Sequence, residues 1–214
     1  MAPVPVKPAM NQGHTYRTHE EVVEGIRGGD PAAVDVLFES YADLVHGYAA
    51  KLLGSVEAAR KLLPGVFVSA LPQVLEARTE QAVERVLLRE ASQQYLASRD
   101  SSGESEPPID ELFPDSAGGR GGSAHDWSLD PDEEERRPEE KRLLREIVVS
   151  MPPQYALVLV LFDMEEMSEQ DVADIVRISV PAVKTRLHRA RLYARRELTR
   201  RLSSTGKNGG DGTS

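Results

Sequence analysis

Six side chains near the C-terminus carry the most definite chemistry in this sequence: Lys184, Thr185, Arg186, His188, Arg189 and Arg191. Long cationic and hydroxyl donors crowded onto one short stretch suit the phosphate oxygens and base edges of a nucleic acid. Other chemistry finds little support. His14, His19, His46, His125 and His188 have no metal-ligand spacing, and there are no cysteines, so thiolate metal sites and disulfides are excluded. The run GGRGG, Gly118–Gly122, lacks the strand and helix that a phosphate-binding loop requires. No Ser/His/Asp arrangement can be defended, so the expectation is a protein that is not an enzyme and has no cofactor and no metal.

Those six side chains need a rigid helix to aim them. Val180, Val183, Leu187 and Ala190 recur at three- and four-residue spacing through the same stretch, which predicts a helix over Val180–Leu202 with one buried face. Lys184, Thr185, His188 and Arg189 then fall on another face, with Arg186 and Arg191 flanking. Ser179 is placed to cap this helix, and Pro181 lies in its first turn, where a missing N–H costs little. Upstream, SEQDVADIV predicts a shorter helix capped by Ser168, with Asp171 in its first turn and Val172, Ala173, Ile175 and Val176 facing inward. A capped short helix, the tight turn RIS and a longer cationic helix form an arrangement the major groove accepts.

The formal net charge of −9 hides a division. Between Arg177 and Leu202 nine lysines and arginines oppose one acid, Glu197. Between Asp100 and Glu140 fourteen acids oppose three arginines. The chain therefore has one cationic face to offer a polyanion. The acidic stretch is also expected to compete weakly with DNA for that face in the free protein, an effect that salt would screen.

Boundaries follow from composition. Residues 1–17 read as a disordered N-terminus and 18–99 as a helical bundle. Residues 100–138, rich in Ser, Gly, Pro and acids, read as a flexible acidic linker holding Trp127; 139–202 is the helix-turn-helix domain and 203–214 a disordered tail. Within the bundle, Glu20–Arg27 predicts a short helix. Asp30 and Pro31 open a long one along which Val34, Leu37, Phe38, Tyr41, Leu44, Val45, Tyr48 and Leu52 form a single buried stripe closed by Gly54. Pro64 and Pro72 are expected to end or kink the next helix. A further helix is expected over Glu80–Ala97. In the second half, a helix through Leu143, Leu144, Ile147 and Val148 stops before Met151-Pro152-Pro153, and the apolar QYALVLVLFDM forms another. The fold class is all-α, with two small helical domains. No apolar run suits a signal peptide or reaches the roughly 18 residues of a membrane span, so a soluble, cytoplasmic protein is expected.

The stretch MPPQYALVLVLFDMEEMSEQDVADIVRISVPAVKTRLHRARLYARREL resembles region 4, the C-terminal promoter-reading domain of extracytoplasmic-function (ECF) sigma factors. Its most specific parts are VKTRLHRAR, the upstream S-x-x-D-V-A and the opening M-P-P. The N-terminal bundle resembles region 2 through GDPAAVDVLFESYADLVHGYAAKLLGS and the later VF. The resemblance implies promoter DNA and core RNA polymerase as partners, an anti-sigma factor as an optional third, and no membrane. It implies that region 4 recognises the upstream promoter element and that region 2 melts the downstream one. By position, Lys184, Thr185, His188 and Arg189 correspond to base- and groove-contacting residues, while Arg186 and Arg191 suit phosphates. Leu37, Phe38, Tyr41 and Leu44 would sit in the region 2 core.

The sequence departs from the family at three places. Arg60, Lys61, Pro64 and Gly65 stand where an acidic, glutamine-rich face usually grips the polymerase clamp. The melting segment EQAVERVLLREASQQYLASR offers only Tyr95 as an aromatic. Glu166, Arg177 and Pro181 replace favoured glycines. Two further readings stay open: a sigma-derived DNA-binding regulator that has lost efficient melting or clamp binding, and a protein-interaction module that folds on an anti-sigma or polymerase partner.

Overall fold

The computed structural model describes residues 10, 11, 14–16, 18–100 and 138–205. Trp127, the glycine run and most of the acidic stretch lie outside the described residues. Eight α-helices are found among the described residues, with a two-residue antiparallel ladder, Met10–Asn11 on His14–Thr15, ahead of them. The N-terminal expectation needs correcting there. Tyr16 is buried, and its hydroxyl donates to Asp30 Oδ2. The ring covers Gly25, where a Cβ would meet the Tyr16 hydroxyl at 2.5 Å.

Helix α1 (His19–Arg27) opens with a reciprocal capping box, in which Thr18 Oγ1 accepts from the Glu21 amide and Glu21 Oε2 from the Thr18 amide. Helix α2 (Pro31–Leu53) is capped by Asp30, begins with Pro31 and is closed by Gly54 at φ 66°. Its buried residues include Val36, Leu37, Tyr41, Val45, Tyr48 and Leu52. The predicted stripe is too wide, since Val34 and Phe38 are 44% and 41% exposed. They form a row beside the inward one, and Phe38 meets Phe67 of the next helix, ring to ring at 4.9 Å.

Helix α3 (Val56–Val74) carries a second correction: it runs unbroken through Pro64 and Pro72. Each proline leaves the carbonyl four residues earlier without its helical donor, at Arg60 and Val68. All four residues are exposed, so water can take the place of the missing N–H groups. Helix α4 (Glu80–Asp100) completes the first bundle.

The second half contains α5 (Pro138–Ser150), α6 (Pro153–Leu159) continuing into a π-helical turn at Val160–Met164, α7 (Glu169–Val176) and α8 (Val180–Thr205). Both halves are helical as expected, but they are docked. One contiguous hydrophobic core includes Tyr41, Tyr48 and Leu88 from the first half and Ile147, Leu157, Leu161 and Leu187 from the second. Helices α2 and α5, α4 and α6, and α4 and α7 pack on one another.

Among the described residues, two other than glycine adopt left-handed backbone, Glu166 at φ 54° and Arg177 at φ 58°. Such a conformation costs an L-residue about 1 kcal/mol or more. Arg177→Gly should therefore stabilise the fold by about 1 kcal/mol, read as a higher urea midpoint at unchanged slope.

Candidate nucleic-acid interface

Helix α7 begins where Ser168 Oγ accepts from the Asp171 amide at 3.1 Å and donates to Asp171 Oδ2 at 2.6 Å. It ends at Arg177, whose left-handed backbone turns the chain within three residues into α8. Ser179 Oγ accepts from the Ala182 amide at 3.4 Å, as the capping expectation required. Val172, Ala173 and Ile175 of α7 and Val183, Leu187 and Ala190 of α8 are all buried. The inner stripe of the cationic helix is thus seated as its periodicity predicts.

Burying that stripe turns the other side out. Lys184, Thr185 and His188 are exposed, and Arg186, Arg189 and Arg191 are partly so. At 100° per residue, Thr185, His188 and Arg189 lie on the outer face, Lys184 and Arg191 on one flank and Arg186 on the other. Lys184 Nζ pairs with Glu169 Oε2 of α7 at 3.1 Å, and both side chains are substantially exposed. Thr185 Oγ1 donates back to the Pro181 carbonyl at 3.0 Å.

Arg191 differs from the others. Its guanidinium grips both carboxylate oxygens of Asp163, Nε to Oδ2 at 3.0 Å, and lies 5.6 Å above the Phe162 ring. The π-helical turn supplies both partners, so Arg191 ties α8 to the end of α6. Sequence reasoning missed Asp163 and Glu169 because partners 28 and 15 positions away leave no local pattern. The two flanking arginines should therefore respond differently to removal. Arg186→Ala should weaken binding to all DNA sequences and flatten the dependence of log affinity on log salt by roughly one unit. Arg191→Ala should change that slope less while costing about 1 kcal/mol of fold stability. A salt titration of both variants tests the contrast; equal slope changes would show Arg191 releasing Asp163 for phosphate.

Asp171 links the domain to the first bundle. The Ser168 hydroxyl foremost, and then Arg85, hold its carboxyl below the ordinary value of 3.8. A group depressed in the folded state contributes stability that is complete above its unfolded value and is lost as pH falls through the folded one. Wild type should accordingly lose its advantage over Asp171→Asn as the pH falls below the ordinary carboxylate range, in acid unfolding followed by circular dichroism.

In the first bundle Arg60, Lys61, Pro64 and Gly65 share one exposed face of α3. Tyr95, the aromatic of the segment likened to a melting helix, is only 2% exposed and belongs to the core. Among the described residues no cluster of three His, Asp or Glu could hold a metal, and no helix is long and apolar enough to cross a membrane.

A capped short helix, a left-handed turn and a longer cationic helix with a buried inner stripe define a helix-turn-helix DNA-binding domain, seated here on a second helical bundle. Residues 141–193 match the family described as Sigma-70, region 4. The ECF RNA polymerase sigma-E factor of Haemophilus influenzae is 25% identical over 182 residues, covering 81% of this chain and 92% of that one. The RNA polymerase sigma-H factor of Pseudomonas aeruginosa is 23% identical over 180 residues, covering 83% and 92%. Among solved structures, the sigma factor RpoE in complex with the anti-sigma factor NepR from Bartonella quintana aligns with TM-score 0.48 and 13% identity, over 78% of this chain and 96% of that one. Over most of its length the chain is thus similar to RNA polymerase sigma factors, at 25% identity or less, and its residues 141–193 carry the region 4 match.

Proposed function

We propose that this protein acts as an ECF-type sigma factor, directing core RNA polymerase to promoters and supporting transcription initiation. Helix α8 reads the upstream element, with Thr185, His188 and Arg189 toward base edges, Lys184 beside them, and Arg186 and Arg191 toward the flanking backbone. The observation that carries this reading is the division of α8 into a buried Val183–Leu187–Ala190 face and an outer face of donors. Residues 18–99 form the polymerase-binding unit and 139–202 the promoter-reading unit.

Transcription in vitro with purified core polymerase on genomic fragments, with permanganate footprinting of unpaired thymines, tests it. Specific transcripts with an open bubble are the expected result. One observation favours a second reading, a sigma-derived regulator with weak melting: the buried Tyr95 offers no ring on which an unpaired base could stack. Polymerase recruited to the promoter without permanganate reactivity would select that reading. Failure to bind both DNA and polymerase would sink the two together.

A further inference from the structure

Helix α3 carries no charged residue between Lys61 and Glu76, about four turns, although one side of it faces solvent. A solvated helix face ordinarily carries charge. This one shows Pro64, Gly65, Ser69, Pro72 and Val68, the last 74% exposed. Beside it Phe67 and Leu71 are only partly buried, and the Phe38–Phe67 ring contact continues the surface onto the exposed Val34 and Phe38 of α2. Contiguous exposed apolar surface of this kind marks a binding site, whereas single exposed residues do not. Its rim is charged unequally. Arg60 and the exposed Lys61 stand at the start of the apolar run; Arg60 makes a long, exposed pair with Glu57 at 4.0 Å, and Lys61 has no carboxylate partner among the described residues. Asp35 and Glu39 lie on the exposed side of α2.

The chain leaves the first bundle beside those two cations. Helix α4 packs antiparallel to α3 with the Gln94 side chain against Gly65, so Asp100, at the end of α4, stands about level with Arg60 and Lys61. Residues 101–119 then hold no lysine, arginine or histidine, while Glu104, Glu106, Asp110, Glu111 and Asp115 supply acids. The large apolar residues among them are Ile109, Leu112 and Phe113, spaced as one face of a helical turn. The stretch from Asp100 to Ile109 spans up to about 30 Å when extended, whereas α3 rises only about 10 Å from Lys61 to Val68. We propose that residues 109–113 dock in cis on the α2–α3 surface. Ile109, Leu112 and Phe113 lie against Phe38, Phe67 and Val68, and the segment's acids turn toward Arg60 and Lys61, away from Asp35 and Glu39. A short tether holds the segment at an effective concentration in the mM range, so contacts too weak to join separate molecules suffice. The docking involves neither DNA nor polymerase and stands apart from the promoter reading.

The absence of cysteine lets the full chain carry a single nitroxide at Ser69→Cys, an exposed position on α3. In amide NMR spectra at low salt, the label should broaden the signals of residues 109–113. The triple variant Ile109→Ala, Leu112→Ala, Phe113→Ala should lower the docked-to-free ratio at least about tenfold and restore those signals. Its substitutions lie outside the described helices, so a folding defect of the bundle does not explain the recovery. Val68→Asp should have the same effect from the other side, with an unchanged urea midpoint because Val68 is so exposed. Lys61→Glu should weaken docking roughly two- to fivefold, and high salt should act in the same direction. Broadening that is equal in wild type, the triple variant and Val68→Asp reflects the tether alone and overturns the proposal. Broadening seen only between spin-labelled and isotope-labelled molecules in a mixture gives the surface to a second copy and overturns it too. Recovery with Trp127→Ala but not with the triple variant gives the surface to Trp127, which equally refutes docking by residues 109–113.

Discussion

Gly54→Ala should destabilise the protein by about 2–5 kcal/mol, a large share of the stability of an ordinary domain. Two costs combine at this residue. Gly54 ends α2 in the left-handed region at φ 66°, a conformation that costs an L-residue roughly 1–2 kcal/mol. It also lies against α5, where an alanine Cβ would meet Val149 Cγ2 at 2.5 Å, with the other Val149 side-chain carbons at 3.6 Å. The overlap can be relieved only by turning Val149 or by moving α5 away from α2, at roughly 1–3 kcal/mol. Gly47 provides the control. It lies within α2 with nothing inside 4 Å of a built Cβ, so Gly47→Ala should be neutral or stabilising by up to about 1 kcal/mol. Adding Val149→Ala to Gly54→Ala should recover the overlap cost and leave the backbone cost. Urea unfolding of the three variants decides the matter. An unchanged midpoint for Gly54→Ala would mean that the two halves do not approach as closely as α2 and α5 do here.

The second large effect is expected on binding. Arg189→Ala should cost about 1–3 kcal/mol of sequence-specific affinity, roughly 5- to 150-fold, because an arginine that reads a base edge makes paired hydrogen bonds no other residue can replace. Of Arg186, Arg189 and Arg191 it is the one turned furthest from the packed stripe, one residue from His188 and four from Thr185. Lys184→Ala should cost less. Lys184 already has Glu169 as a partner at 3.1 Å, so part of what it gains from DNA is spent breaking that exposed pair. Competition binding against specific and random duplexes, at one stated salt concentration, separates the cases. If Arg189→Ala weakens both duplexes equally, Arg189 is a phosphate holder and the base reader must be sought among Lys184, Thr185 and His188.

Local signals were enough to predict the helices. Asp30, Ser168 and Ser179 stand at the caps, Gly54 closes α2, and Val183, Leu187 and Ala190 all pack inward, because capping and periodicity act between residues a few positions apart. The same locality explains the errors. Proline rules predicted a break in α3, but they cannot tell whether the orphaned carbonyls face water, and here they do. Periodicity predicts a wholly buried stripe on α2, yet Val34 and Phe38 are 44% and 41% exposed, because the helices packed on α2 cover a narrower face than the apolar residues span.

The candidate reading face of α8 was therefore legible in the sequence, since side chains of one helix keep their relative angles whatever surrounds them. Tertiary structure alone decided which of those cations already have partners. It tied Arg191 to Asp163 and Lys184 to Glu169, buried Tyr95, and set Lys51 and Arg85 against Glu165 and Asp171 across more than eighty residues of chain. Charge acts through space and not along the chain, so a count of lysines and arginines can mark a cationic helix without telling which charges remain available to another molecule.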